Sequence, residues 1–111
     1  MNQKEISKAF LMMCVTQDVD KAYDMYIHKD FTHHNQYFKK DRKSLLDAMI
    51  QNNIDFPHKK VDVQFQIEEN DMVTNYSIIQ INEETVYRVV HIFRFHHFKI
   101  IEAWDIGEKV L

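Results

Sequence analysis

The sequence predicts one small α+β domain in which helices close over a curved antiparallel sheet, leaving a pocket for a small organic molecule. Three observations predict it. Apolar residues recur at helical spacing in the first half and alternate with period two from Lys60 onward. A length of 111 residues suits a single hydrophobic core. Helices first and strands second is an α+β order.

Ile6, Phe10 and Met13 mark the first helix, with Asn2 and Glu5 placed as an N-cap and its reciprocal partner. Ala22, Tyr23, Tyr26 and Ile27 form a second stripe after Asp18, and Leu45, Leu46, Met49 and Ile50 a third after Asp41. Between these two, Phe31 to Asn35 reads as a short extended segment. Val61, Val63, Phe65 and Ile67 then alternate with Asp62, Gln64, Gln66 and Glu68, the pattern of a half-buried strand. Residues 72–81, 85–95 and 98–106 continue in β-branched and aromatic residues, so a four-strand antiparallel meander is expected. The only glycine is Gly107 and the only proline Pro57. Turns therefore fall to Asn and Asp, at Asn52-Asn53, Asn70-Asp71 and Asn82-Glu83, with a further hairpin turn at His96-His97.

With the hairpins centred there, Phe65, Tyr76, Val89 and Trp104 form one row across the sheet, and Ile67, Thr74, His91 and Glu102 the next. This aromatic face is the one for the helices to cover. The opposite face carries Ile79, Val90, Ile92, Ile101 and Ala103 among Arg88, Arg94 and Asp105, with Arg88 facing Asp105. That face is too apolar for plain solvent surface, and a homodimer through it is expected.

Composition excludes several classes. Apolar residues at 45% and aromatics at 13% separate the chain from disordered sequences. A net charge of −3 with scattered basic residues argues against a nucleic-acid partner. The longest apolar run, Ala9 to Val15, falls far short of the ~20 residues a bilayer span needs, so no membrane association is expected. The N-terminus lacks a signal-peptide pattern, and the single cysteine, Cys14, has no internal disulfide partner; a cytoplasmic location follows as the expectation. No cofactor is expected, because no glycine-rich phosphate loop is present. Seven histidines raise the question of a metal, for which His34, His91 and Glu102 come nearest to a two-histidine, one-carboxylate set. Without H-E-x-x-H spacing or a cysteine pair, no metal is expected. Cys14, on the first helix, reads as a small core residue.

The segment Val90-His91-Ile92-Phe93-Arg94-Phe95 followed by Lys99-Ile100-Ile101-Glu102-Ala103-Trp104-Asp105 resembles the closing strands of SnoaL-like proteins in the NTF2-like superfamily. Their motif runs roughly V-D-I-F-R, a turn, then G-K-I-x-E-H-W-D. Tyr26 through Asn35, ending His33-His34-Asn35, is similar to the family's Y-x(n)-Q-H-N segment. The resemblance spans nearly the whole chain. It implies a cone-shaped sheet wrapped around three helices, a ligand cavity inside and frequent homodimers. It also implies functions ranging from cofactor-independent polyketide cyclases and isomerases to non-catalytic binding modules. Four positions depart from the pattern. The aspartate of V-D-I-F-R is His91 here, the histidine of E-H-W-D is Ala103, the turn glycine is Phe98, and the glutamine before His-Asn is His33.

On the expected register His91 faces Glu102 across the strands, a candidate dyad in which the imidazole removes a proton beside a carbonyl and the carboxylate orients it. Tyr76 is placed to donate to a developing enolate oxygen. Phe65 and Trp104 form an apolar floor, with Val89 and Phe93 completing the ligand-facing set. His34 and Asn35 match the family's His-Asn pair near the pocket mouth. Only one of His33 and His34 can point inward, and the match favours His34. A buried structural pair of His91 and Glu102, with Phe65 and Trp104 as plain core, is the alternative reading of the same residues. Two functions follow. One is an acid/base enzyme acting on a small apolar or aromatic carbonyl compound. The other is a binding or dimeric interaction module without turnover, favoured by the loss of the family's aspartate and histidine.

Overall fold

A computed structural model describes residues 1–16, 18–35 and 39–111. Three helices pack on one face of a five-strand mixed sheet. The elements run α1 (Gln3–Cys14), α2 (Val19–Tyr26), β1 (Ile27–His33), α3 (Arg42–Asp55), β2 (Lys60–Glu69), β3 (Met72–Asn82), β4 (Thr85–His96) and β5 (Lys99–Lys109). Strand order across the sheet is β1-β5-β4-β3-β2. β2 to β5 form the expected antiparallel meander. The short extended segment proves to be a fifth strand, β1, running parallel to β5.

The helix caps follow from the residues that set them. Asn2 accepts from the Glu5 backbone at 2.8 Å while the Glu5 carboxylate accepts from the Asn2 backbone at 3.0 Å, a complete capping box. Asp41 accepts from the Ser44 amide at 2.6 Å and starts α3. Asp18 precedes α2 without a side-chain cap bond. The expected turn at Asn52-Asn53 lies instead within α3. Asn53 is 2% exposed and donates through Nδ2 to the Cys14 and Thr16 carbonyls, tying the end of α3 to the end of α1. The core is built where α1 and α2 meet the sheet, from Phe10, Leu11, Tyr23, Phe31, Phe93 and Ile100 among others.

The sheet departs from the expected faces, and each departure has a local cause. β2 and β3 pair Phe65 with Tyr76 and Ile67 with Thr74 as expected. However, the ladder shifts between Val63 and Phe65, so Gln64 is an extra residue in the strand. Val61 and Val63 therefore pack toward the helices, whereas Phe65 and Ile67 turn to the outer face, 53% and 61% exposed. The second and third hairpins turn at residues 83–84 and 97–98, one residue later than expected. In the latter His97 and Phe98 both take positive φ, at 50° and 63°. A ladder shift near each hairpin makes the net displacement odd, and an odd displacement reverses every side chain. Tyr76 thus pairs with Val90, Ile92 with Trp104 and Arg94 with Glu102, while His91 pairs with Asp105 and Phe93 with Ala103. Arg88 meets Glu108 in an ion pair, not Asp105. No helix among the described residues is long and apolar enough to cross a membrane.

Candidate functional site

Between the helices and the sheet lies a cavity of about 310 Å³ with a predominantly apolar wall. Its sheet side presents Val89, His91 and Phe93 from β4 and Ala103 and Asp105 from β5. β1 and the residues after it add Phe31, His33 and Asn35. Leu11 and Cys14 of α1 and Met49 and Asn52 of α3 close it from above.

Four polar groups of this wall, His33, Asn35, His91 and Asp105, converge on one region. His91 and Asp105 are cross-strand neighbours. Asn35 Nδ2 donates to Asp105 Oδ2 at 2.9 Å, which fixes the carboxylate from the β1 side. His91 is held from behind by a relay that the β2 bulge makes available. Gln66, turned inward past Gln64, donates to Asn75 Oδ1 at 2.7 Å, and Asn75 donates to the His91 carbonyl at 3.2 Å. The imidazole itself has less support. Its Nδ1 is buried with no hydrogen-bond partner among the described residues. Burial lowers the proton affinity of His91, and the nearby Asp105 charge partly opposes that. A neutral imidazole beside a carboxylate, in an apolar cavity, is equipped to take up a proton when a substrate offers one.

His33 completes the group. It is 1% exposed, and its Nδ1 accepts from the Asn35 amide at 3.3 Å. That bond assigns the neutral ring's hydrogen to Nε2, which has no partner among the described residues. A buried donor without an acceptor is costly and marks a place where a ligand oxygen fits.

The structure divides the expected site residues between the two faces of the sheet. His91, Val89, Phe93 and Asn35 line the cavity. Tyr76, Glu102, Phe65, Trp104 and His34 stand on the outer face, so the expected dyad partner, enolate donor and aromatic floor do not share an interior with His91. His34 Nε2 lies 2.7 Å from Glu102 Oε2 and its ring stacks on Trp104 at 5.0 Å. Arg94 forms a 3.3 Å ion pair with Glu102 and lies over Trp104. Phe65 stacks on Tyr76 at 5.1 Å. Strand alternation brings one of the adjacent histidines inward, as expected, but it is His33 rather than His34. The conceivable metal set is split the same way, with His34 and Glu102 across the sheet from His91.

Sequence reasoning missed Asp105 and His33. Asp105 stands in the E-H-W-D resemblance, but the expected register turned it outward. Cys14 is a buried wall residue whose thiol proton affinity is raised well above the usual range by desolvation, as suits an inert core position.

No family model matches the sequence, and no curated protein matches it. Solved structures do resemble the fold. Wild-type IdmH from Streptomyces antibioticus superposes with a TM-score of 0.78 at 15% identity, covering 97% of this chain and 93% of that one. A SnoaL-like polyketide cyclase from Agrobacterium tumefaciens gives 0.77 at 12% identity, covering 97% and 92%. An NTF2-like protein of unknown function from Cytophaga hutchinsonii gives 0.79 at 12% identity, covering 97% and 91%. At these identities the likeness is one of fold. Three helices on a five-strand sheet, matched along almost the entire chain, give this protein the NTF2-like fold of SnoaL-like proteins.

Proposed function

We propose that the protein binds a small, largely apolar carbonyl compound in the cavity and acts on it by cofactor-independent acid/base chemistry, with His91 as the base. The observation that carries this reading is the convergence of His91, Asp105, Asn35 and His33 on one region of a predominantly apolar wall. His91 removes a proton from the carbon next to the carbonyl: the C–H bond breaks, an N–H bond forms, and the electron pair passes to the carbonyl oxygen. Asp105 stabilises the resulting imidazolium, and the free Nε2–H of His33 is the donor for the enolate oxygen. Return of the proton to the same or another carbon gives exchange or isomerisation.

The test is the rate at which a ketone such as 2-tetralone exchanges its α-hydrogens in deuterated water, followed by proton NMR. The protein should accelerate exchange over buffer, and His91→Asn should reduce the acceleration by roughly a hundredfold or more, the usual contribution of a positioned base. Undiminished exchange in His91→Asn, with ketone binding intact, would remove the catalytic role.

A second reading, a dimeric interaction module, is favoured by the outer sheet face. Phe65 and Ile67 of β2 and Ile106 of β5 are exposed there. A homodimer through this face is compatible with either function of the cavity.

A further inference from the structure

Lys59 immediately precedes β2 and lines the cavity together with Val61, Ile79, Ile81 and Asn52. Its ammonium donates to Asn52 Oδ1, a neutral acceptor. No carboxylate forms an ion pair with it among the described residues. Three other cations do have acidic partners: Lys43 has Asp47, Arg88 has Glu108 and Arg94 has Glu102. A half-buried cation against an apolar wall, with only a neutral contact, is left short of a counter-charge. Desolvation accordingly lowers its proton affinity.

We infer that the cavity's ligand carries a carboxylate at the end remote from His91, where Lys59 receives it. This rests on the reading of the cavity as a binding site. The two ends have opposite charge. Asp105 stands beside His91 and would repel an acid there, so the ligand has one orientation, acid to Lys59 and carbonyl to His91. The strand register sets its length. The row containing Val61, Ile79 and Tyr87 lies four residues along β4 from His91. At ~3.3 Å per residue that is ~13 Å, part of which the lysine side chain itself bridges. The ligand is therefore an elongated, largely apolar oxo acid, of which a compact neutral ketone occupies only the His91 end.

The experiment is isothermal titration at neutral pH with ω-benzoylalkanoic acids of increasing chain length, each compared with its own methyl ester. The parent protein, Lys59→Met and Lys59→Arg are used, their folding checked by circular dichroism. The parent should bind the best acid about tenfold or more tightly than its ester, with a preference that peaks at one chain length. Lys59→Met should erase the preference by weakening acid binding alone, and Lys59→Arg should restore part of it. Equal binding of acid and ester by the parent, or a preference that survives in Lys59→Met, overturns the role of Lys59 and leaves the cavity reading standing. Failure of both acids and esters to bind overturns the two together.

Discussion

Replacing His91 by leucine should make the protein more stable while abolishing the activity proposed for it. His91 Nδ1 is buried without a hydrogen-bond partner among the described residues. A buried polar atom left unsatisfied costs about 1–3 kcal/mol, whereas an apolar side chain of similar volume carries no such penalty. The ring's packing on Phe93, at a centroid distance of 6.0 Å, is largely retained by leucine. A net gain of about 1–2 kcal/mol near pH 7.5 is the result, or roughly 4–8 °C in Tm for a domain of this size. The pH dependence gives a second handle. Burial lowers the proton affinity of His91 below that of the unfolded chain, so its contribution is at its most favourable above the unfolded value of about 6.5. As pH falls below that value the unfolded chain takes up a proton that the native state resists, and stability declines by up to about 1.4 kcal/mol per pH unit. His91→Leu removes this loss, and its advantage over the parent should widen between pH 7.5 and pH 5.5. Urea unfolding followed by circular dichroism at the two pH values measures both effects. A variant less stable than the parent at both values, or an advantage that stays constant with pH, would refute the view of His91 as a residue held there at a cost in stability.

Three further outcomes are expected. Phe98→Gly should raise stability by about 0.5–1 kcal/mol in the same urea assay, because Phe98 sits at φ 63° and is 63% exposed, so the relief of strain outweighs the lost contacts. Gly107→Ala should lower stability by about 1–3 kcal/mol, since the added Cβ would stand 3.0 Å from Val89 Cγ2 and 3.2 Å from the Arg88 carbonyl oxygen; an unchanged urea midpoint would show that β4 yields at that point. Sedimentation should find a dimer that the double substitution of Phe65 and Ile106 by lysine converts to monomer, and a monomeric parent would dispose of the outer-face interface.

The helices, the strand positions and the first hairpin were legible because each is specified by neighbours in sequence. Capping pairs such as Asn2 with Glu5, apolar stripes such as Leu45 to Ile50, and the Asn70-Asp71 turn all act locally. The faces of β4 and β5 were not legible, because they depend on counting. Period-two alternation records that residues take turns, not which turn faces the helices, and each hairpin and ladder shift can change the parity. Asn82-Glu83 and His96-His97 contain suitable turn residues but lie one position early. With no glycine available, the last hairpin uses His97 and Phe98 at positive φ, a conformation that histidine tolerates but phenylalanine does not signal. His91 was read on the helix-facing side of β4, where it stands, while its cross-strand neighbour was read as Glu102 where the ladder has Asp105. β1 was short and irregular, and its pairing with β5 spans most of the chain, so nothing nearby announces it. Lys59 carries no periodic signal at all. The role proposed for it emerges only from the cavity wall, where no carboxylate pairs with it among the described residues.

The extra residue at Gln64 lies on β2, one of the two strands at the margins of the sheet. A regular strand there would offer an uninterrupted row of amides and carbonyls to any passing chain, and the kink breaks that row halfway. Shortening β2 by that single residue would thus do two kinds of harm at once: it would carry Gln66 away from Asn75, and it would straighten a border on which other copies could polymerise.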